Sequence, residues 1–354
     1  MTGYLGVYME TQGRRANGTD GIYSFSFDPE TGRVDRLRVA VQSVNPTYLA
    51  LSSTGEFLYA INEIVEWQGQ RTGAVSAFAV GGGGNLSFLN QVSSNGRGPC
   101  HIALAPHPAA VVSNYTDGSI SILPVNKDGS LSAPTQTICF QGKSVDAERQ
   151  DAPHAHCFAF DNTGKRGFAC DLGSDRVRGF RFLTDSHRRL RLKEHEVFIS
   201  NPGSGPRHMV FHPSKPVAYV VNELNSTVDV LDMRLKETMS SVQKLQTITT
   251  LTEPLPGNTA SAVKLDADAR LLYVSNRGRD SITVFGVQEN GLLEYVGAFP
   301  SGGRTPRDFT LAGDFLLVCH QDSDNLVVFR IDRATAEKTG EYEALSGVCV
   351  VVRS

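Results

Sequence analysis

Seven times along the chain, a small or acidic residue opens a strand of alternating apolar side chains that runs into a polar turn. The segments are GIYSFSF from Gly21, GAVSAFAV from Gly73, GSISILPV from Gly118, DRVRGFRF from Asp175, STVDVLDM from Ser226, DSITVFGV from Asp280 and DNLVVFRI from Asp324. Their equivalent positions, Ile22, Val75, Ile120, Val177, Val228, Ile282 and Leu326, recur about every fifty residues, the length of one four-stranded propeller blade. Alternation with a period of two marks strands buried on at least one face. Upstream halves, such as PTYLALSSTGEFLYAINE and PRHMVFHPSKPVAYVVNE, are seen six times, one fewer than the downstream halves. The two ends of the chain supply the missing one, with GVCVVVRS as an inner strand and GYLGVYME as the next strand outward. The sequence therefore predicts an all-β chain, a seven-bladed β-propeller of four-stranded antiparallel blades. One blade is closed by the N- and C-terminal strands, which leaves the ring without an open edge. No composition shift or linker interrupts the pattern, so residues 1–354 are expected to form a single domain.

In such a blade the start of the first strand and the end of the second lie on the same face, and these points from every blade converge on one mouth. Strand ends are where a side chain can leave the core and reach a ligand. Aligned repeats place Thr47, Cys100, His156, Arg207, Ser261 and Arg307 at the start of the first strand. They place Asn62, Asn114, Asp171, Asn222, Asn276 and His320 at the end of the second, followed by Glu63, Tyr115, Leu172, Glu223, Arg277 and Gln321. Asn and Asp at strand ends close turns on their own backbone, which explains the first of these rings structurally. The ring after it carries Glu and Arg, which no turn requires. His156, Arg207, Glu223, Arg277, Arg307 and Glu63 are thus the ionisable groups expected to face one cavity, with Asn222, His154 and His208 as neighbouring candidates for substrate contact. His101 is a weaker candidate.

Guanidinium forks match carboxylate and phosphate oxygens, so arginines around one histidine and two carboxylates suit a small anionic substrate. The same positive field stabilises negative charge developing on a carbonyl oxygen, and Glu223 or His156 is available to activate water or move a proton. Cations outnumber carboxylates in this set, which disfavours a metal, and no motif for a cofactor is present. A formal net charge of -3 with no basic patch excludes the footprint of a nucleic-acid binder. No stretch is long enough to span a bilayer and the first residues lack a signal peptide's pattern, so a cytoplasmic protein is expected. Six dispersed cysteines without a CxxC pair indicate neither zinc nor a disulfide framework. Two insertions widen loops on the mouth face: EIVEWQGQRTG, where Trp67 is a possible stacking platform or packs on its own blade, and GKSVDAERQDAPH, just before His154.

GPRHMVFHP followed by AYVVNELNSTV, with PHAH upstream and LLYVSNRGRDSITVF downstream, resembles the seven-bladed propeller lactonase family. That family includes the propeller-type bacterial 6-phosphogluconolactonases and the fungal 3-carboxy-cis,cis-muconate lactonizing enzymes. The resemblance covers nearly the whole chain. It implies that His156, Arg207, Glu223 and Arg277, already selected by blade position, correspond to the family's proposed active-site set. The resulting expectation is a metal-independent, cofactor-free lactonase that hydrolyses a sugar-acid lactone, 6-phosphogluconolactone foremost. The alternatives are a carboxymuconate-type cycloisomerase and a non-catalytic scaffold that binds a protein at its mouth. Because all four residues sit at strand ends, substitutions there are expected to leave the fold nearly intact.

Overall fold

A computed structural model describes residues 1–8, 10–11, 14–15, 21–185, 190–234, 242–333, 335–344 and 346–353. Two of the repeats run through 186–189 and 235–241, which lie outside the described residues. The described chain forms seven four-stranded antiparallel sheets and one small hairpin, Glu10–Thr11 with Arg14–Arg15. Blade 1 is Gly347–Arg353, Thr2–Val7, Gly21–Phe27 and Val34–Gln42, from the axis outward. Blades 2 to 7 begin with the inner strands Tyr48–Leu51, Pro99–Leu104, Ala155–Phe160, Pro206–Phe211, Thr259–Leu265 and Pro306–Ala312. Each then runs outward through the next three strands of the sequence. The seven repeat positions read from the sequence, Ile22 to Leu326, all fall on third strands and are at most 1% exposed.

The core is divided into seven apolar clusters, each shared by two neighbouring blades. Tyr219, Val221 and Val230 of blade 5 pack on Leu272, Val274 and Phe285 of blade 6, for example. Phe315, Leu317 and Val328 of blade 7 pack on Leu5, Phe25 and Phe27 of blade 1, which carries the packing across the point where the chain begins and ends. Burial of the apolar faces between blades thus holds the ring together, at about 25 cal/mol per Å² removed from water. A Tyr-X-X-Asn pattern in three second strands adds polar staples. The buried hydroxyls of Tyr59, Tyr219 and Tyr273 each donate to a turn carbonyl of the next blade, at Gly129, Gly291 and Arg333.

The inner strands carry a repeated irregularity that positions the mouth. In blade 5, Pro206 pairs with Asn222 and His208 with Val221, so Arg207 is left without a partner across the ladder. The same shift leaves Cys100, His156 and Arg307 unpaired in blades 3, 4 and 7, Val348 in blade 1, and Ser261 with Ala262 in blade 6. A β-bulge bends its strand and re-aims the extra side chain. Six of the seven blades carry such a shift near the start of the inner strand, and blade 2, whose ladder runs unbroken from Tyr48 to Leu51, is the exception.

Blade 1 joins the two ends of the chain directly. Thr2 pairs with Arg353 and Leu5 with Val350. Removing residues 348–354 would strip the inner strand from blade 1 and uncover the apolar flanks of Leu5 and Leu49. The truncated chain is expected to unfold at a clearly lower temperature than the full one. An unchanged melting temperature would contradict a ring held by this closure.

Candidate active site

Glu223 is the centre of the mouth. It follows the second strand of blade 5 and is buried, 3% exposed, although it carries a carboxylate. Three arginines from three directions hold it. Arg207 donates from Nε to Oε2 at 2.9 Å, Arg277 approaches Oε2 with Nη2 at 2.8 Å, and Arg149 donates from Nη2 to Oε1 at 2.6 Å. Burial alone would raise the carboxyl pKa, but Arg277 and Arg207 together with Arg149 outweigh it and hold it well below the usual carboxylate range. A carboxylate so stabilised is a weak base. Its geometry suits a hub that fixes guanidinium groups rather than a group that takes a proton.

Arg207 is oriented by everything it touches. Its Nη1 donates to the Ser261 carbonyl and to His208 Nε2, both at 3.1 Å. Because a guanidinium only donates, His208 Nε2 accepts, which leaves His208 neutral with its proton on Nδ1. Burial lowers the pKa of Arg207 to about 10, assisted by the neighbouring charge of Arg277. Burial likewise lowers Arg277, whose Nε is buried without a hydrogen-bond partner.

His156 lies beside this cluster, 6% exposed, and its Nδ1 is buried and unpartnered. Burial, then the charge of Arg207, pushes its pKa well below 6.5, so the ring is neutral at physiological pH. Its ring packs at 5.3 Å from that of His208 and at 5.7 Å, edge to face, from Tyr115. His101 and Tyr48 continue the ring column inward, with His101 at 5.5 Å from His208 and 4.3 Å from Tyr48. Burial brings the His101 pKa down to about 3. Around the other side of the mouth, Arg307 donates to Gln321 Oε1 at 3.1 Å and lies 3.9 Å from Glu63, which accepts from Thr47 Oγ1 at 2.5 Å. The mouth therefore presents Arg149, Arg207, Arg277 and Arg307 against Glu223 and Glu63, a surplus of positive charge aimed into one opening.

Most of the residues chosen from the sequence are brought together, with three differences. Asn222, expected to contact substrate, is fully buried and turned into its own blade, where its amide donates to Thr227 Oγ1 and Asp229 Oδ2 at 3.0 Å. Asn114 and Asn276 likewise donate to Ser119 Oγ and Thr283 Oγ1 of their own blades, and Asn62 accepts from Ser76 Oγ, so this ring belongs to the turns. His154 stacks on Tyr115 at 4.4 Å and its Nδ1 meets the Tyr115 carbonyl at 3.0 Å, which makes it a support for Tyr115. Trp67 donates from its indole to Gln91 on the outer strand of its own blade at 2.9 Å, so it packs rather than offering a platform. Sequence reasoning missed Arg149 and Tyr48. The insertion that carries Arg149 was legible as a loop at the mouth, and a single arginine among its polar residues was the available signal.

Matched against known families, residues 2–352 correspond to the family described as "Lactonase, 7-bladed beta-propeller". The chain belongs to this lactonase family. Among its relatives, a 6-phosphogluconolactonase of Bacillus subtilis (strain 168) is 34% identical over 343 residues, covering 95% of this chain and 93% of the relative. A 6-phosphogluconolactonase of Formosa agariphila is 32% identical, covering 94% and 93%. Among solved structures, the periplasmic gluconolactonase PpgL of Pseudomonas aeruginosa superposes on the lactonase-family chain with a TM-score of 0.88 at 29% identity, over 99% of this chain and 98% of that one.

Proposed function

We propose that this chain is a metal-independent lactone hydrolase acting on a sugar-acid lactone, with 6-phosphogluconolactone as its substrate and the cytoplasm as its setting. The observation that carries the reading is a neutral His156 with an unpartnered Nδ1, next to guanidinium groups locked on Glu223. The names of the two bacterial relatives support the choice of lactone, and six free cysteines accord with a reducing compartment. Among the described residues no group of three or more His, Cys, Asp or Glu could hold a metal ion, and the surplus of arginines would repel one.

In the chemistry this arrangement supports, the neutral His156 imidazole takes a proton from water as the water oxygen bonds to the lactone carbonyl carbon. The carbonyl oxygen becomes negative beside the Arg277 guanidinium, whose positive charge stabilises it. The tetrahedral intermediate collapses by breaking the bond from carbon to ring oxygen, and the imidazolium returns its proton to that oxygen. The products are a carboxylic acid, which ionises, and a free hydroxyl. Glu223 keeps the arginines in place throughout. The cyclising alternative needs proton transfer at carbon without water, and nothing in the site or among the relatives named above favours it.

Acid release measured across a lactone panel, in the presence of excess EDTA, tests the reading. Hydrolysis of 6-phosphogluconolactone is expected to survive chelation. His156→Asn is expected to lower kcat by roughly a hundredfold to ten-thousandfold, with little change in melting temperature. The acid limb of kcat/KM in the parent should lie well below pH 6.5. Loss of turnover on chelation with recovery on adding a divalent metal, or a folded His156 variant with parent kcat, would refute it.

A further inference from the structure

We infer that Arg149 is a specificity residue that binds a phosphate monoester at the distal end of the substrate. This rests on the lactonase reading above and adds a residue and a ligand class to it. Arg149 does not belong to either ring read from the blades; it reaches the mouth from the insertion between blades 3 and 4. That loop is built as a rigid arm. Ser144 N donates to the Gln150 carbonyl and Gln150 N to the Asp146 carbonyl, at 2.9 and 2.8 Å. Asp146 Oδ1 accepts from the backbone N–H groups of Glu148 and Arg149 at 2.9 and 3.0 Å. Gln150 is fully buried and donates to the Leu172 carbonyl at 2.9 Å, and Ser144 Oγ donates to Asp175. An arm fixed in this way presents its guanidinium with little ordering left to do on binding.

The head group engages the site with one nitrogen. Nη2 meets Glu223 Oε1 at 2.6 Å and Tyr115 Oη at 3.3 Å, and the remaining N–H groups of Arg149 have no partner among the described residues. Its side chain is 39% exposed, whereas Arg207 and Arg277 lie deeper at 3% and 15%. The deep pair is thus placed for the carbonyl, and Arg149 for a group at the rim. Four arginines against two carboxylates leave a surplus of two positive charges, which a phosphate monoester of about -1.5 to -2 neutralises.

The test compares Arg149→Met and Arg149→Lys with the parent on 6-phosphogluconolactone and on unphosphorylated gluconolactone. Arg149→Met is expected to lower the ratio of the two kcat/KM values by at least roughly tenfold, mainly through KM, and lysine should restore part of it. Calorimetry should show 6-phosphogluconate bound at least roughly tenfold more weakly by Arg149→Met, with a smaller change for gluconate. Equal losses on both lactones would mean that Arg149 only positions Glu223, and would overturn the inference. So would a ratio within twofold of the parent's, a ratio that collapses only in Arg307→Met, or a parent that binds no 6-phosphogluconate. A parent that binds 6-phosphogluconate through Arg149 but opens no lactone would instead refute the hydrolase reading and leave this one standing.

Discussion

Glu223→Gln is expected to destabilise the protein by about 3–5 kcal/mol and to lower lactone hydrolysis by at least about a hundredfold. A position at the end of a strand would ordinarily tolerate this change. Here the side chain is 3% exposed and is the shared acceptor of Arg149, Arg207 and Arg277. A neutral amide leaves the buried Arg207 uncompensated and turns an N–H group toward one of its former donors. The catalytic loss follows from the same event, because an oxyanion donor that drifts by even part of an ångström is no longer aligned with the transition state. Urea unfolding and kcat/KM measured on the same preparation would show both effects. The double variant Glu223→Gln with Arg207→Met should recover part of the lost stability, since it removes a stranded charge, yet recover no activity. A Glu223→Gln protein as stable as the parent would mean that the three contacts contribute nothing net.

The second large effect is acid lability. His101, His156 and His208 are packed together at the axis, each at most 9% exposed, and burial lowers the pKa of all three, His101 to about 3. A histidine whose folded pKa lies below its unfolded value, about 6.5, resists protonation only in the native state. Its contribution is therefore complete above pH 6.5 and is lost as the pH falls, because the unfolded chain takes up protons that the native one does not. Three such groups correspond to about 4 kcal/mol per pH unit below 6.5 at the steepest. Glu223, held low by its arginines once burial is overcome, adds a loss in the same direction at lower pH, below the ordinary carboxylate value. With net stabilities of about 5–15 kcal/mol for folded proteins, the native state should fail between about pH 5 and pH 3. Unfolding free energies at pH 7.5, 6.5 and 5.5 give the slope directly, and His208→Gln should make it shallower. A flat profile across that range would show that these rings reach solvent.

The seven-bladed ring and the height of the mouth could be read from the sequence because both depend on periodicity. Alternation in each strand, a repeat of about fifty residues and a missing half-repeat made up by one strand from each end leave one way to close the ring. The blade alignment also brought Arg207, Glu223, Arg277 and His156 to one place, since equivalent positions in a ring are neighbours in space. Other features depended on information that a period of two does not hold. The bulges that re-aim Cys100, His156, Arg207 and Arg307 are shifts of one residue in pairing, invisible until both strands are in register. The amide of Asn222 turns inward because Asp229, seven residues along, is a buried acceptor on the adjacent strand. The partnership of Arg149 with Glu223 spans 74 positions and two blades, and no local pattern announces it.

The pairing of Thr2 with Arg353 has a consequence for how the molecule is made. Thr2–Val7 takes as its inner neighbour Gly347–Arg353, a strand synthesised long after it. At about 5–20 residues per second it waits for most of roughly 20 to 70 seconds of translation with that edge exposed. Six inner strands can pair within their own blades during this time, each soon after synthesis. Blade 1 is different, because its inner strand is separated from its other three by almost the entire chain. Ring closure therefore waits until Gly347–Arg353 has been made, and Tyr4 and Leu5, fully buried in the closed ring, are the apolar residues most in need of shielding until it happens.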